Sequence, residues 1–112
     1  PEEGAPEPGA FGFASYPFHE AAEGFRHMPA VRAAIRARQR LRITLRGAAT
    51  ALEIRPLRLD YWGRIWTCVA WNETTGTFDS LRLDRITALT PLPGLFVDEP
   101  GKRLADYEEH KP

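Results

Sequence analysis

Residues 30–46 read Ala30-Val31-Arg32-Ala33-Ala34-Ile35-Arg36-Ala37-Arg38-Gln39-Arg40, then Leu41-Arg42-Ile43-Thr44-Leu45-Arg46. The apolar period changes inside this stretch, and that change decides the fold. Up to Arg40 the composition is Ala and Arg, both strong helix formers, and Pro29 suits a first helical turn. Val31, Ala34 and Ile35 fall on one helical stripe. Arg32, Arg36 and Arg40 recur at i, i+4 on another, where like charges repel by a few tenths of a kcal/mol. That face is expected in solvent, or against an anionic neighbour. From Leu41 the period is two, which reads as a half-buried strand.

Working outward toward the C-terminus, Gly47 begins a turn. Leu52 and Ile54 alternate with Glu53 and Arg55 in a second strand. Pro56 interrupts it and shifts the phase to Leu57 and Leu59, as a proline does at an edge or a bulge. After Trp62-Gly63, residues 64–71 (RIWTCVAW) are β-branched and aromatic with little charge, a strand suited to burial on both faces. Asn72 to Gly76 is a hairpin loop, residues 78–83 a fourth strand and 86–90 a short fifth, with Pro91 and Pro93 ending the sheet. The reading is a mainly β fold, a small five-stranded antiparallel barrel with an N-terminal α-helix. Closing the sheet or covering its edges is what an antiparallel meander of this size requires.

Working outward toward the N-terminus, residues 1–10 (PEEGAPEPGA) are expected to be a disordered linker. Residues 11–29 hold Phe11, Phe13, Tyr16, Phe18, Phe25 and Met28 and read as an extension packing on the barrel, with a short helix near 19–27. The barrel domain is assigned to 30–97 and a C-terminal tail to 98–112. A chain of 112 residues that begins at Pro1 is one domain, expected to be cut from a longer protein.

Fifteen basic and fifteen acidic residues cancel only in total. Residues 26–96 hold twelve Arg against five acids, while residues 1–25 hold five acids and no base. A basic body between acidic ends points to an anionic partner, or to a solvated face neutralised by those ends. The single cysteine, Cys68, excludes an internal disulfide framework and a multi-cysteine metal site. It is expected buried and inert. No apolar run reaches the ~20 residues of a membrane helix, so no membrane partner is expected and a cytoplasmic location is. His19, His27 and His110 pair with no nucleophile or carboxylate in a recognisable arrangement. There is no Gly-rich phosphate loop, His-x-x-x-His or Cys-x-x-Cys. The chain is therefore read as no enzyme, with no catalytic residue, metal or cofactor.

Four ordered motifs in residues 30–96 resemble the WYL domain. They are a helix followed by Leu41-Arg42-Ile43-Thr44-Leu45, then Ile54-Arg55-Pro56-Leu57-Arg58-Leu59, then Gly63-Arg64-Ile65-Trp66-Thr67-Cys68-Val69-Ala70-Trp71, then Leu81-Arg82-Leu83-Asp84-Arg85-Ile86. The last is the most specific, because the family reads Phe-Arg-Leu-Asp-Arg-Ile there. The resemblance implies an Sm-like barrel. It also implies a regulatory module attached to a helix-turn-helix DNA-binding domain in a bacterial transcription regulator, sensing single-stranded nucleic acid or a nucleotide through a basic pocket. The sequence departs from the family at Thr67 and Cys68, where Tyr and Leu of the name-giving triplet stand. Leu45 replaces a common Tyr, and Leu52 and Asp79 replace common Arg residues.

Arg82 and Arg85 are the leading candidates for the anion, since Arg clamps a phosphate bidentately. An internal pair with Asp84, Asp79 or Asp60 is the competing reading. Arg55 and Arg58 flank Pro56 and are candidates for the same ligand. Trp66 is a candidate for base stacking, with a core position as its competing reading. Thr67, and Thr44 near it, offer hydroxyls. The function expected is a ligand-sensing regulatory domain. The rival is a structural or dimerisation module of the same fold with a degenerate pocket, for which a homo-oligomer is the expected partner.

Overall fold

A computed structural model describes residues 25–110 of the chain. The linker expected at 1–10 and the extension up to residue 24, with most of the helix expected at 19–27, lie outside the described residues.

Helix α1 runs Met28–Ala37 with Pro29 in its first turn, and it buries Met28, Val31 and Ala34. Arg32 and Arg36 are exposed as expected, but Arg40, the third arginine of the expected stripe, is half-buried and lies beyond the helix, which ends at Ala37. The helix stops at Arg38, which adopts left-handed backbone angles (φ 54°, ψ 51°) and donates its N–H to Ala34 and Ile35 carbonyls. That conformation costs a non-glycine residue roughly 1 kcal/mol. The Arg38 carbonyl is held by the Phe96 N–H at 2.7 Å, and its guanidinium by Asp98 through two 3.2 Å bonds.

Five antiparallel strands follow: β1 Gln39–Leu45, β2 Leu52–Trp62, β3 Ile65–Asn72, β4 Thr77–Arg82 and β5 Ile86–Leu95. A 3-10 turn at Leu83–Arg85 joins β4 to β5. The sheet order is β4-β3-β2-β1-β5. The expected closed barrel is not formed: the sheet is open, with β4 and β5 at its two edges. β4 has only six residues, and Pro91 and Pro93 each remove an N–H donor from β5, so the edges are poor partners for closure. The two prolines do not end the sheet as expected. β5 continues to Leu95, since an edge strand tolerates proline, and the β1–β5 register shifts between Gln39 and Leu41.

Pro56 is buried on interior strand β2, and the register slips between Pro56 and Arg58. This is the bulge alternative, with Leu57 as the extra residue. One face of the sheet meets α1 to form the core of Leu41, Ile43, Ile54, Cys68, Ala70, Leu81, Leu83 and Ile86 against Met28, Val31 and Ala34. β3 is buried from Thr67 to Ala70 on both faces, as its composition predicts. Burial pushes the Cys68 thiol up to about 12, so it is not a thiolate at neutral pH. A short helix, α2, spans Leu104–His110. No helix of the described residues is long and apolar enough to cross a membrane.

Candidate ligand-binding face

The face of the sheet turned away from α1 carries most of the candidate residues. Alternation and register place three rows across β2, β3 and β4: Arg55–Trp71–Phe78, Arg58–Val69–Ser80 and Asp60–Thr67–Arg82. Arg55 and Arg58, an odd number of positions apart, share this face because the bulge adds one residue between them. Thr67 is buried, and its Oγ1 has no hydrogen-bond partner among the described residues. A buried hydroxyl without a partner is costly unless a ligand supplies one.

Each of these arginines also meets carboxylates of its own chain. Arg82 grips Asp84 through Nε at 2.9 Å and Nη2 at 2.6 Å. The Arg82 hydrogen bonds, then its charge and that of Arg85, hold the Asp84 carboxyl below the usual range against partial burial. Arg58 forks onto Asp60 at 2.9 and 3.0 Å and donates Nη1 to Glu108 at 2.6 Å. Arg55, 6% exposed, donates to Glu73 and, at 3.5 Å, to Glu99, with the Val97 carbonyl at 3.4 Å. The pairing of Arg82 with Asp84 is the internal alternative read from the sequence.

Glu99 and Glu108 arrive on a strap. Leaving β5, residues 96–110 cross the outer face. Phe96 lies under the Arg55 guanidinium at 5.3 Å, Lys102 over the Trp71 ring at 5.8 Å, and Tyr107 against Phe78 at 5.7 Å and Arg58 at 5.8 Å. Asp106 locks the strap internally, accepting from the Gly101 and Arg103 N–H groups at 2.8 and 2.9 Å and from the Arg103 side chain. Those bonds hold its carboxyl far below the usual range. The region assigned to a tail thus ends in a packed helix.

The remaining candidates are dispersed. Trp66 turns to the other face, where it stacks on Tyr61 (4.8 Å between rings) and packs against the core; its Nε1 is buried without a partner. Arg85 is exposed on the 3-10 turn, its carbonyl accepting from the Arg46 N–H at 2.7 Å. Thr44 pairs with Ala88 across β1 and β5, and β2 separates it from β3, so it does not lie near Thr67 as expected. The strap carboxylates are not readable from the sequence as Arg55 and Arg58 partners, because a pairing some fifty positions away leaves no local pattern. Among the described residues no group of His, Cys, Asp and Glu is placed to hold a metal ion.

Comparison with known proteins finds a family model and similar solved structures. The family model described as the WYL domain matches residues 26–91. The solved structure of Proteasome accessory factor B/C (PafBC) of Arthrobacter aurescens is similar at TM-score 0.59 and 28% identity, covering 68% of this chain and 12% of that one. The chain therefore corresponds to a small part of that protein. No curated protein matches.

Proposed function

The chain belongs to the WYL domain family, and from that premise we propose that it is the ligand-sensing regulatory domain of a bacterial transcription regulator. The ligand is anionic, a single-stranded nucleic acid or a nucleotide, and its binding is signalled to an attached DNA-binding domain. The domain itself performs no catalysis. The observation that carries this reading is the Asp60–Thr67–Arg82 row beside Arg58. It sets a buried, unpartnered hydroxyl next to two arginines on one face. A phosphate oxygen would satisfy Thr67 Oγ1 and exchange with the carboxylates now on the arginines.

The test is a titration of labelled single-stranded DNA, with and without a 5′-phosphate, at two salt concentrations. Binding is expected to weaken steeply with salt, and Arg58→Ala with Arg82→Ala is expected to flatten the slope by about 0.7 for each phosphate no longer held. Salt-insensitive binding, or no binding at low salt, overturns it.

A second reading is favoured by the strap. Glu99 and Glu108 already neutralise Arg55 and Arg58, which suits an assembly module whose pocket has become structural. That reading expects self-association, measured by sedimentation, together with no oligonucleotide binding.

A further inference from the structure

We propose that Trp62 is the base-stacking residue of this site, so that its ligand is a nucleotide, free or at the end of a single strand. The phosphate lies on Arg82, Arg58 and the Thr67 hydroxyl, and the base lies on the Trp62 indole. The proposal rests on the reading of the outer face as an anion site and adds what the ligand must carry besides charge.

Three observations lead to Trp62. First, it shares the outer face with the polar row. It lies two residues beyond Asp60 on β2 and pairs with Ile65, itself two residues before Thr67 on β3. With a rise of about 3.3 Å per residue and strands about 4.8 Å apart, the Trp62 and Thr67 backbones are about 8 Å apart, the scale of one nucleotide. Secondly, the indole is unengaged. Trp62 is 65% exposed and has no ring partner among the described residues, whereas Trp66 is stacked on Tyr61 and Trp71 on Phe78. The two-residue turn that follows, with Gly63 at φ 65°, ends the strand just beyond Trp62. Thirdly, Thr67 is buried with its hydroxyl unpartnered among the described residues, a donor on this face that a phosphate oxygen would satisfy. An aromatic face beside a charged anchor recognises any base by stacking, while the arginines hold the phosphate.

Trp66, the stacking candidate read from the sequence beside its core alternative, is turned to the other face and packs against the core. Successive strand residues alternate, so Tyr61 and Trp66 face inward as a cross-strand pair, and Trp62 and Thr67 face outward. An indole at the rim of an anion site has no role in holding phosphate, which makes base-dependence the property that separates this proposal from the anion reading beneath it.

The experiment measures binding of a labelled, 5′-phosphorylated single-stranded DNA by anisotropy, and of the same strand with abasic residues at its 5′ end. The proteins are the wild-type chain, Trp62→Ala, Trp62→Phe and Arg82→Ala. Trp62→Ala is expected to weaken the base-bearing strand about 5- to 150-fold, the range that base stacking contributes, and to leave the abasic strand unchanged. Trp62→Phe is expected to retain most of the affinity, and Arg82→Ala to weaken both strands alike. An unlabelled deoxynucleoside monophosphate that displaces the strand identifies a free nucleotide as sufficient; an effect of Trp62 without displacement assigns the site to a strand end. Equal affinity of Trp62→Ala and wild type for the base-bearing strand overturns the stacking role while leaving the anion site standing. Failure of the wild type to bind either strand at low salt overturns both.

Discussion

Thr67 sets stability against the proposed ligand binding in a single side chain. Its hydroxyl is buried with no partner among the described residues. Replacing it by Val keeps the branched shape and removes the desolvated oxygen. Thr67→Val is therefore expected to raise the unfolding free energy by about 1 kcal/mol, read from urea denaturation. The same change is expected to weaken binding of the phosphorylated strand. A variant that loses stability would show that the hydroxyl is already satisfied. At this scale the sequence is partly legible. Arg55, Arg58, Arg82 and Thr67 are candidates by residue type and motif, and the sheet brings them onto one face. Their acidic partners are not legible, because Glu99 and Glu108 lie more than forty positions from Arg55 and Arg58. Trp62 escapes a sequence reading because it stands at the end of a strand and the start of a turn, and only the observed register shows which face it occupies.

At the scale of elements, helix α1, the five strands and the break at Pro56 are written in the periodicity. The change from 3.6 to two at Leu41 and the shifted phase after Pro56 are local signals with local causes. The continuation of β5 past Pro91 is not, because whether a proline ends a strand depends on its being at an edge, a property of the whole sheet. Nor is the docking of α2. Glu108 and Tyr107 seat α2 on Arg58 and Phe78, so the strap competes for an arginine that the ligand would use. Tyr107→Ala removes the ring that packs on Phe78 and lies against Arg58, and is expected to cost about 1 kcal/mol beyond the area exposed. It is expected to speed amide exchange in residues 104–110 and to increase affinity for the phosphorylated strand. Faster exchange without increased affinity would mean that the strap and the ligand do not share Arg58.

For the whole molecule, the acidic segments decide the response to pH. Asp84 is held below its ordinary range by Arg82, Asp98 by Arg38, Glu99 by Lys102 and then Arg55, and Asp106 by Arg103 and backbone N–H groups. A depressed folded-state value means that the stabilisation is complete above the ordinary carboxylate range of about 4 and is lost as pH falls below it. The urea midpoint is expected to be level from neutral pH to about 5 and to fall below about 4. Three of these four carboxyls lie in the strap, so exchange in residues 98–110 is expected to rise before that of the sheet. A midpoint that rises on acidification would contradict the assignment. The strap also joins what the hydrogen-bonded ladders leave apart. It leaves β5 at one edge, crosses the outer face and seats Tyr107 on Phe78 of β4 at the other. Tension entering from the C-terminal side is therefore borne first by α2 and by the Arg58–Glu108 pair, and reaches β5 only after they give way. A pull on the strap would therefore take Glu108 from Arg58 before it loads the β1–β5 ladder, and would leave Arg58 on Asp60.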